Sequence, residues 1–372
     1  MSSTLSIPTE AFLDLLDAAL NANYSELKKT SSRIANEVAH TDLSTAKKIK
    51  AALRRNGVPL RTSGYMENLP VDPKSRSPLV EEQSWPVTPL FLEEDLHELF
   101  SDFLMDVRNH EKLHAHGLAS RANLLMSGPP GTGKTLVAGH IAAQLGKPLY
   151  VVRLDSLVSS LLGDTAKNIR NVFEFVPHTN GILFLDEFDA IAKVRDDKHE
   201  LGEIKRVVNT LIQAIDSLDD KAIVIAATNH SGLLDRAIWR RFPYRMEFTN
   251  PQEGLRRQLW NHFLFSDNGE ESICSALAKI SHNLTGAEIE TIAFAEKRRA
   301  VLNDRDIDIS AVSAELMRLK HPELLKNSTR SLSNQEKKEV STFLKSHYKI
   351  NSTELSKLLK ISRQTLSTHL KE

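Results

Sequence analysis

The sequence predicts an α/β fold: a parallel sheet flanked by helices, followed by a small helical unit and bracketed by helical modules at both ends. Three observations carry the prediction. Two short and almost wholly apolar runs, residues 181–186 and 222–229, each end in a polar residue, as central parallel strands buried on both faces do. Between and around them lie stretches with helical apolar spacing, residues 136–145, 157–175 and 205–218. A glycine-rich loop at residues 128–135 stands between an apolar run and one of those helical stretches. Strands alternating with helices build a parallel sheet whose ligands bind at the carboxyl ends of the strands.

The chain has 372 residues, enough for two or three domains, and its 41% hydrophobic and 26% charged content are ordinary for a globular protein. Its formal net charge is zero. A single cysteine, Cys274, excludes an internal disulfide framework and fits a reducing compartment. No apolar run approaches the roughly twenty residues needed to cross a bilayer, and the first residues lack a signal-peptide pattern. A soluble cytoplasmic protein without membrane contact is expected.

Residues 1–57 read as a helical docking module. Phe12, Leu15, Leu16, Ala19 and Leu20 keep helical spacing, and a later helix closes at Asn56-Gly57. Lys47, Lys48, Lys50, Arg54 and Arg55 make that later helix basic, either as a solvated face or as a surface for nucleic acid or an acidic partner. Residues 58–88 hold five prolines and no periodicity, and read as a linker. Residues 89–250 carry the α/β pattern: a helix over 92–110, then strands at 122–127, 148–153, 181–186, 222–229 and 244–248. Residues 251–325 are expected to be a helical lid.

The loop Gly128-Pro129-Pro130-Gly131-Thr132-Gly133-Lys134-Thr135 satisfies the phosphate-binding pattern G-x4-G-K-[ST]. Glycines let backbone N–H groups turn around a phosphate chain, Lys134 brings a point charge to the β/γ-phosphates, and the Thr135 hydroxyl can ligate Mg²⁺. ATP or ADP with Mg²⁺ is the expected ligand. Asp186, directly after an apolar strand, can hold the metal through its waters. Glu187 is placed to deprotonate an attacking water, and Asn229, ending the neighbouring strand, can bond that water or the γ-phosphate. Arg240 and Arg241 lie too far along the chain to reach their own loop easily. Cations delivered from a neighbouring subunit would stabilise the charge of phosphoryl transfer, and such head-to-tail contacts close into rings.

These motifs resemble the AAA family of ring ATPases, over about residues 90–300. The resemblance rests on residues 128–135, on Phe184-Leu-Asp-Glu-Phe-Asp189, on Ala226-Ala-Thr-Asn229 and on the segment 234–242 with its paired arginines. It implies a homo-oligomer, a hexamer, in which ATP turnover drives a protein substrate through a pore or remodels a partner. It places Gly286 and Ala287, in Thr285-Gly286-Ala287-Glu288, near the adenine. It makes Leu161, Leu162 and Gly163 the pore loop, with Leu161 where peptide-threading relatives carry an aromatic residue. That departure weakens processive threading and favours partial remodelling or ATP-switched assembly. The lead-in over residues 114–121 and the run Arg153-Leu-Asp-Ser-Leu157 are also similar to a bacterial subset encoded beside a subtilisin-like serine protease and linked to toxin–antitoxin or phage-defence functions. The chain itself shows no G-x-S-x-G motif, so serine-protease chemistry would belong to another polypeptide.

Residues 334–372 hold three short helical patterns and resemble a helix-turn-helix. Ser362 would cap the recognition helix, and Arg363, Gln364, Thr365 and Thr368 would face a DNA major groove. Docking to protein is the competing reading of the same tail.

Overall fold

The computed structural model describes residues 69–72, 76, 78–152, 165–189, 201–234, 236–325 and 332–370, together with positions 13, 30, 31, 33–35 and 38. The N-terminal module expected over 1–57 lies almost entirely outside the described residues, as do Leu161, Leu162 and Gly163.

Among the described residues a six-stranded sheet has the order β1-β3-β4-β5-β2-β6. Its strands are β1 (Val80–Gln83), β2 (Ala122–Ser127), β3 (Leu149–Val152), β4 (Ile182–Leu185), β5 (Ile223–Thr228) and β6 (Tyr244–Glu247). Every pairing is parallel except the one at the β1 edge, where Val80 faces Val152 and Gln83 faces Leu149 in antiparallel register. The five strands expected from the apolar runs are all present.

The period-2 alternation of those strands sorts their side chains into two cores. Leu124, Met126, Ile182, Phe184, Ile223 and Ile225 pack against Phe103 of α1 (Glu94–Arg108) and against Val137 and Ile141 of α3 (Lys134–Leu145). Leu125, Leu183, Leu185, Val224 and Ala226 meet Val172 and Phe173 of α4 (Thr165–His178) and Leu211 of α5 (Leu201–Ser217) on the other face. A short α2 (His110–Ala115) follows α1, and a single-turn α6 (Arg236–Trp239) precedes β6.

The span 58–88, expected to be a linker, departs from that reading at its far end. β1 lies within it, and Leu79 and Val80 are fully buried. Trp85 Nε1 donates to the Lys147 carbonyl at 3.0 Å. A Cβ on Gly139 of α3 would meet Pro86 at 2.9 Å, so this end of the span is packed against the domain. The strand escaped the apolar pattern because an edge strand needs only one buried face: Glu81, Glu82 and Gln83 are polar, and only Val80 is buried.

Beyond β6 come α7 (Glu253–Phe265), α8 (Glu271–Ile280), α9 (Gly286–Leu302) and α10 (Ile309–Lys320), four helices within the span read from the sequence as a lid. The tail forms α11 (Asn334–His347), α12 (Ser352–Leu358) and α13 (Arg363–His369). Leu355, Leu358 and Leu366 are buried, with Ile361 and Leu370 packed beside them. These residues belong to the same core as Trp260, Leu277 and Ile289 of the lid, so the tail is an extension of the lid and not a separate unit. Ion pairs Lys279–Glu354 (3.7 Å), Lys360–Asp308 (3.4 Å) and Lys357–Glu270 line the seam.

Candidate active site

Sheet order brings the site together. β4, β5 and β2 are neighbours, with Leu185 level with Ala226 and Ser127 level with Thr228. The loop after β2, the acids after β4 and the Asn after β5 therefore emerge side by side at the carboxyl edge.

The loop keeps its shape through two glycines whose constraints differ. A Cβ at Gly128 would collide with the Phe248 carbonyl oxygen at 2.2 Å, because the Phe248 amide crosses over to bond Ser127 O at 2.7 Å. Gly133 has φ +96°, with nothing within 4 Å of a Cβ. Its glycine is demanded by backbone conformation, and the space beside it stays open at the start of α3, where helix amides favour phosphate.

Lys134 is 8% exposed and its ammonium donates to the carbonyls of Gly128 (2.7 Å) and Pro129 (2.8 Å) and to Asn229 Oδ1 (2.9 Å). Burial pushes its pKa down, while the carboxylates of Asp186 and Asp189 push it back up. Thr135 Oγ1 donates to Asp186 Oδ2 at 3.1 Å, a hydroxyl and a carboxylate set side by side as a hard divalent cation requires. The donor set fits Mg²⁺ held by Thr135 and Asp186, and the open loop fits a phosphate chain.

Glu187 follows in a left-handed conformation, φ +49°, uncommon for a residue with a side chain. Its own amide bonds Asp186 Oδ1 (2.8 Å), and the next amide, of Phe188, bonds Ala227 O on β5 (2.8 Å). The backbone is pinned on both sides of Glu187, and its side chain is left exposed.

Asp189 was missed as a site residue. It is 2% exposed, and its Oδ1 accepts from Thr228 Oγ1 and from the Asn229 amide, both at 3.2 Å. It thus fixes the residue that meets Lys134. The signal was available: Asp189 lies three residues after Asp186, at the end of the acidic run that follows β4.

The lid reaches the loop. The Ala287 amide donates to Gly131 O at 3.1 Å, and a Cβ on Gly286 would lie 3.7 Å from the same oxygen. Thr285 caps α9 in a reciprocal box with Glu288, which fixes this helix start beside the phosphate loop.

Arg240 and Arg241 are not part of this cluster, and they differ from each other. Arg241 Nε and Nη2 bind both carboxylate oxygens of Asp216 (2.9–3.3 Å), and Nη1 bonds Ala237 O (2.8 Å). Its carbonyl accepts from Asn123, four residues before the end of β2, or roughly 13 Å back along the strand. Arg241 is an internal anchor. Arg240 is exposed and makes no side-chain bond to any described residue.

On the tail, Ser362 caps α13 through the Thr365 amide (3.0 Å), and Arg363, Gln364, Thr365 and Thr368 are all exposed. The Thr365 hydroxyl is bonded to Ser362 (2.8 Å) and that of Thr368 to the Gln364 carbonyl (3.2 Å).

A phosphate loop, a Thr–Asp pair, a pinned glutamate and an Asn on adjacent parallel strand ends define a P-loop nucleotide-binding protein. Residues 124–250 match the family model described as "ATPase family associated with various cellular activities (AAA)". The chain is 49% identical over 150 residues to an uncharacterized AAA family ATPase, y4kL, of Sinorhizobium fredii, covering 40% of this chain and 46% of that protein. It is 31% identical over 222 residues to proteasome-activating nucleotidase 1 of Halobacterium salinarum, covering 58% and 55%. A spastin homolog of Caenorhabditis elegans is 34% identical over 197 residues, covering 51% and 38%. The chain thus spans about half the length of the curated relatives it matches. Among the described residues no helix is long and apolar enough to cross a membrane.

Proposed function

We propose that this protein is a Mg²⁺-dependent ATP hydrolase that works as a ring of like subunits, a hexamer, and remodels a protein partner. The observation that carries the reading is the convergence of Lys134, the Thr135–Asp186 pair, Glu187 and Asn229 on three adjacent strand ends. Lys134 and the loop amides bind the β/γ-phosphates. Bound Mg²⁺ would neutralise charge developing on those phosphates. Glu187 takes the proton from the attacking water, and Asn229, steadied by Asp189, orients that water or the γ-phosphate. Arg240 supplies the trans cation from the next subunit, while Arg241 fixes the segment that presents it.

The similarity to proteins named for proteasome activation supports a polypeptide as the object of the work. The subset resemblance supports a separate subtilisin-like protease as partner, in a toxin–antitoxin or phage-defence setting. A free, buried Cys274 accords with a cytoplasmic location. The test is Glu187→Gln. Loss of a general base costs about 10²- to 10⁴-fold in rate, so this variant should bind ATP and assemble but barely hydrolyse, and pull-down with it should retain the partner. Hydrolysis at the wild-type rate refutes the assignment.

The exposed outer face of α13 favours a second reading, an ATP-switched DNA-binding regulator whose tail carries the specificity. Binding of a DNA duplex that weakens steeply with salt and is lost on Arg363→Ala would select it.

A further inference from the structure

We propose a second binding site, at the edge of the sheet opposite the nucleotide loop, that takes an acidic polypeptide segment. A cavity of about 500 Å³ opens there, within the size range of ligand sites. Its floor is apolar: Val107 from α1, Ala122 at the start of β2 and Ile223 at the start of β5. Its rim is cationic, with Arg108, Lys112, Lys147 and Lys221 against one carboxylate, Glu111. In a chain of zero net charge this is a local excess of one sign, the condition under which a cleft concentrates anions.

The rim cations are held by different residues. Arg108 Nη2 donates to Gln144 O (2.7 Å), Lys147 Nζ to Asn180 O (3.2 Å), and Lys221 Nζ to Glu111 (3.0 Å). No two of them share an acceptor, as groups gathered around a compact phosphate would. They match carboxylates spaced along a chain, with apolar side chains between them seated on the floor. Two groups on the rim also lack hydrogen-bond partners among the described residues. The Lys112 ammonium makes no bond to any described residue, and both ring nitrogens of His110 are shielded from solvent without a hydrogen-bond partner. Burial depresses the Lys147 pKa, so an arriving carboxylate would restore charge stabilisation that folding has removed. The site uses none of the residues that bind the nucleotide, and the inference does not depend on hydrolysis.

The test is fluorescence anisotropy of a labelled Glu-Leu-Asp-Glu-Leu-Asp peptide with the full chain bearing Lys134→Ala, which removes the charge of the phosphate loop. Binding should weaken with salt, and Lys112→Glu with Lys221→Glu should reduce affinity at least about tenfold. Lys337→Glu with Lys338→Glu, the same charge change on α11, should leave it unaltered. Thermal melts verify that each variant folds, and Lys112→Gln alone, which removes an unpartnered charge, should still weaken binding measurably. The proposal is overturned by an absence of binding, by equal loss in the two charge-reversed proteins, or by inorganic tripolyphosphate displacing the peptide better than the unlabelled peptide does.

Discussion

Arg240 and Arg241 are adjacent in sequence, yet their surroundings differ sharply. Every guanidinium nitrogen of Arg241 is taken up by Asp216 and the Ala237 carbonyl, while Arg240 is exposed. Arg240→Ala should therefore cut ATP turnover by about 10³-fold or more with nucleotide affinity and melting temperature unchanged. Arg241→Ala should lower the melting temperature, because it leaves Asp216 with only Arg121 as ion-pair partner among the described residues. A double-mutant cycle with Asp216→Ala should show coupling for Arg241 and none for Arg240; coupling at Arg240 would reverse the assignment. Sequence spacing marked the pair as distant from its own loop, and only the contacts separated the two. Asp189 makes the same point: its position in the acidic run was visible, but its bond to the Asn229 amide depends on β4 and β5 lying side by side.

At the scale of elements, the central strands were legible because burial on both faces leaves an unbroken apolar run. The edge strand β1 was not, since a strand covered on one face and paired along one side can tolerate Glu81 and Glu82. In the lid, α8 buries Cys274 to 2% exposure, and burial pushes its thiol pKa from 9.0 up to about 11. The unfolded thiol ionises first, so this group's contribution to stability is intact below about pH 9 and declines as pH rises toward 11. A thiol-specific disulfide reagent at pH 8 should react with Cys274 only at the rate of lid opening, accelerating sharply in denaturant. Immediate stoichiometric reaction of the native protein would contradict the packing of α8.

At the scale of the whole molecule, the lid and tail share one core, and the lid touches the phosphate loop through Ala287 and Gly131. A change at the nucleotide can therefore move α13 as part of the same body. Leu358 on α12 is fully buried in that core. Leu358→Ala should destabilise the lid by about 2 to 5 kcal/mol, read as an earlier step in chemical denaturation, although it touches neither nucleotide nor partner. An unchanged denaturation profile would mean that the tail is separable. Deleting the tail is accordingly a folding lesion, and surface changes such as Arg363→Ala are the sound way to probe what α13 binds.

Local order along the chain was enough to place the candidate site residues. The phosphate loop, the acids after β4 and the Asn after β5 are each a strand followed at once by its functional residue, and hydrophobic periodicity places strands. Tertiary structure alone decided what depends on elements far apart in the chain. Asp216 captures Arg241 across 25 residues, a polar-looking segment supplies an edge strand, and the tail completes the lid's core. Such outcomes follow from which surfaces remain to be covered once the main sheet has formed, and no window of neighbouring residues carries that information.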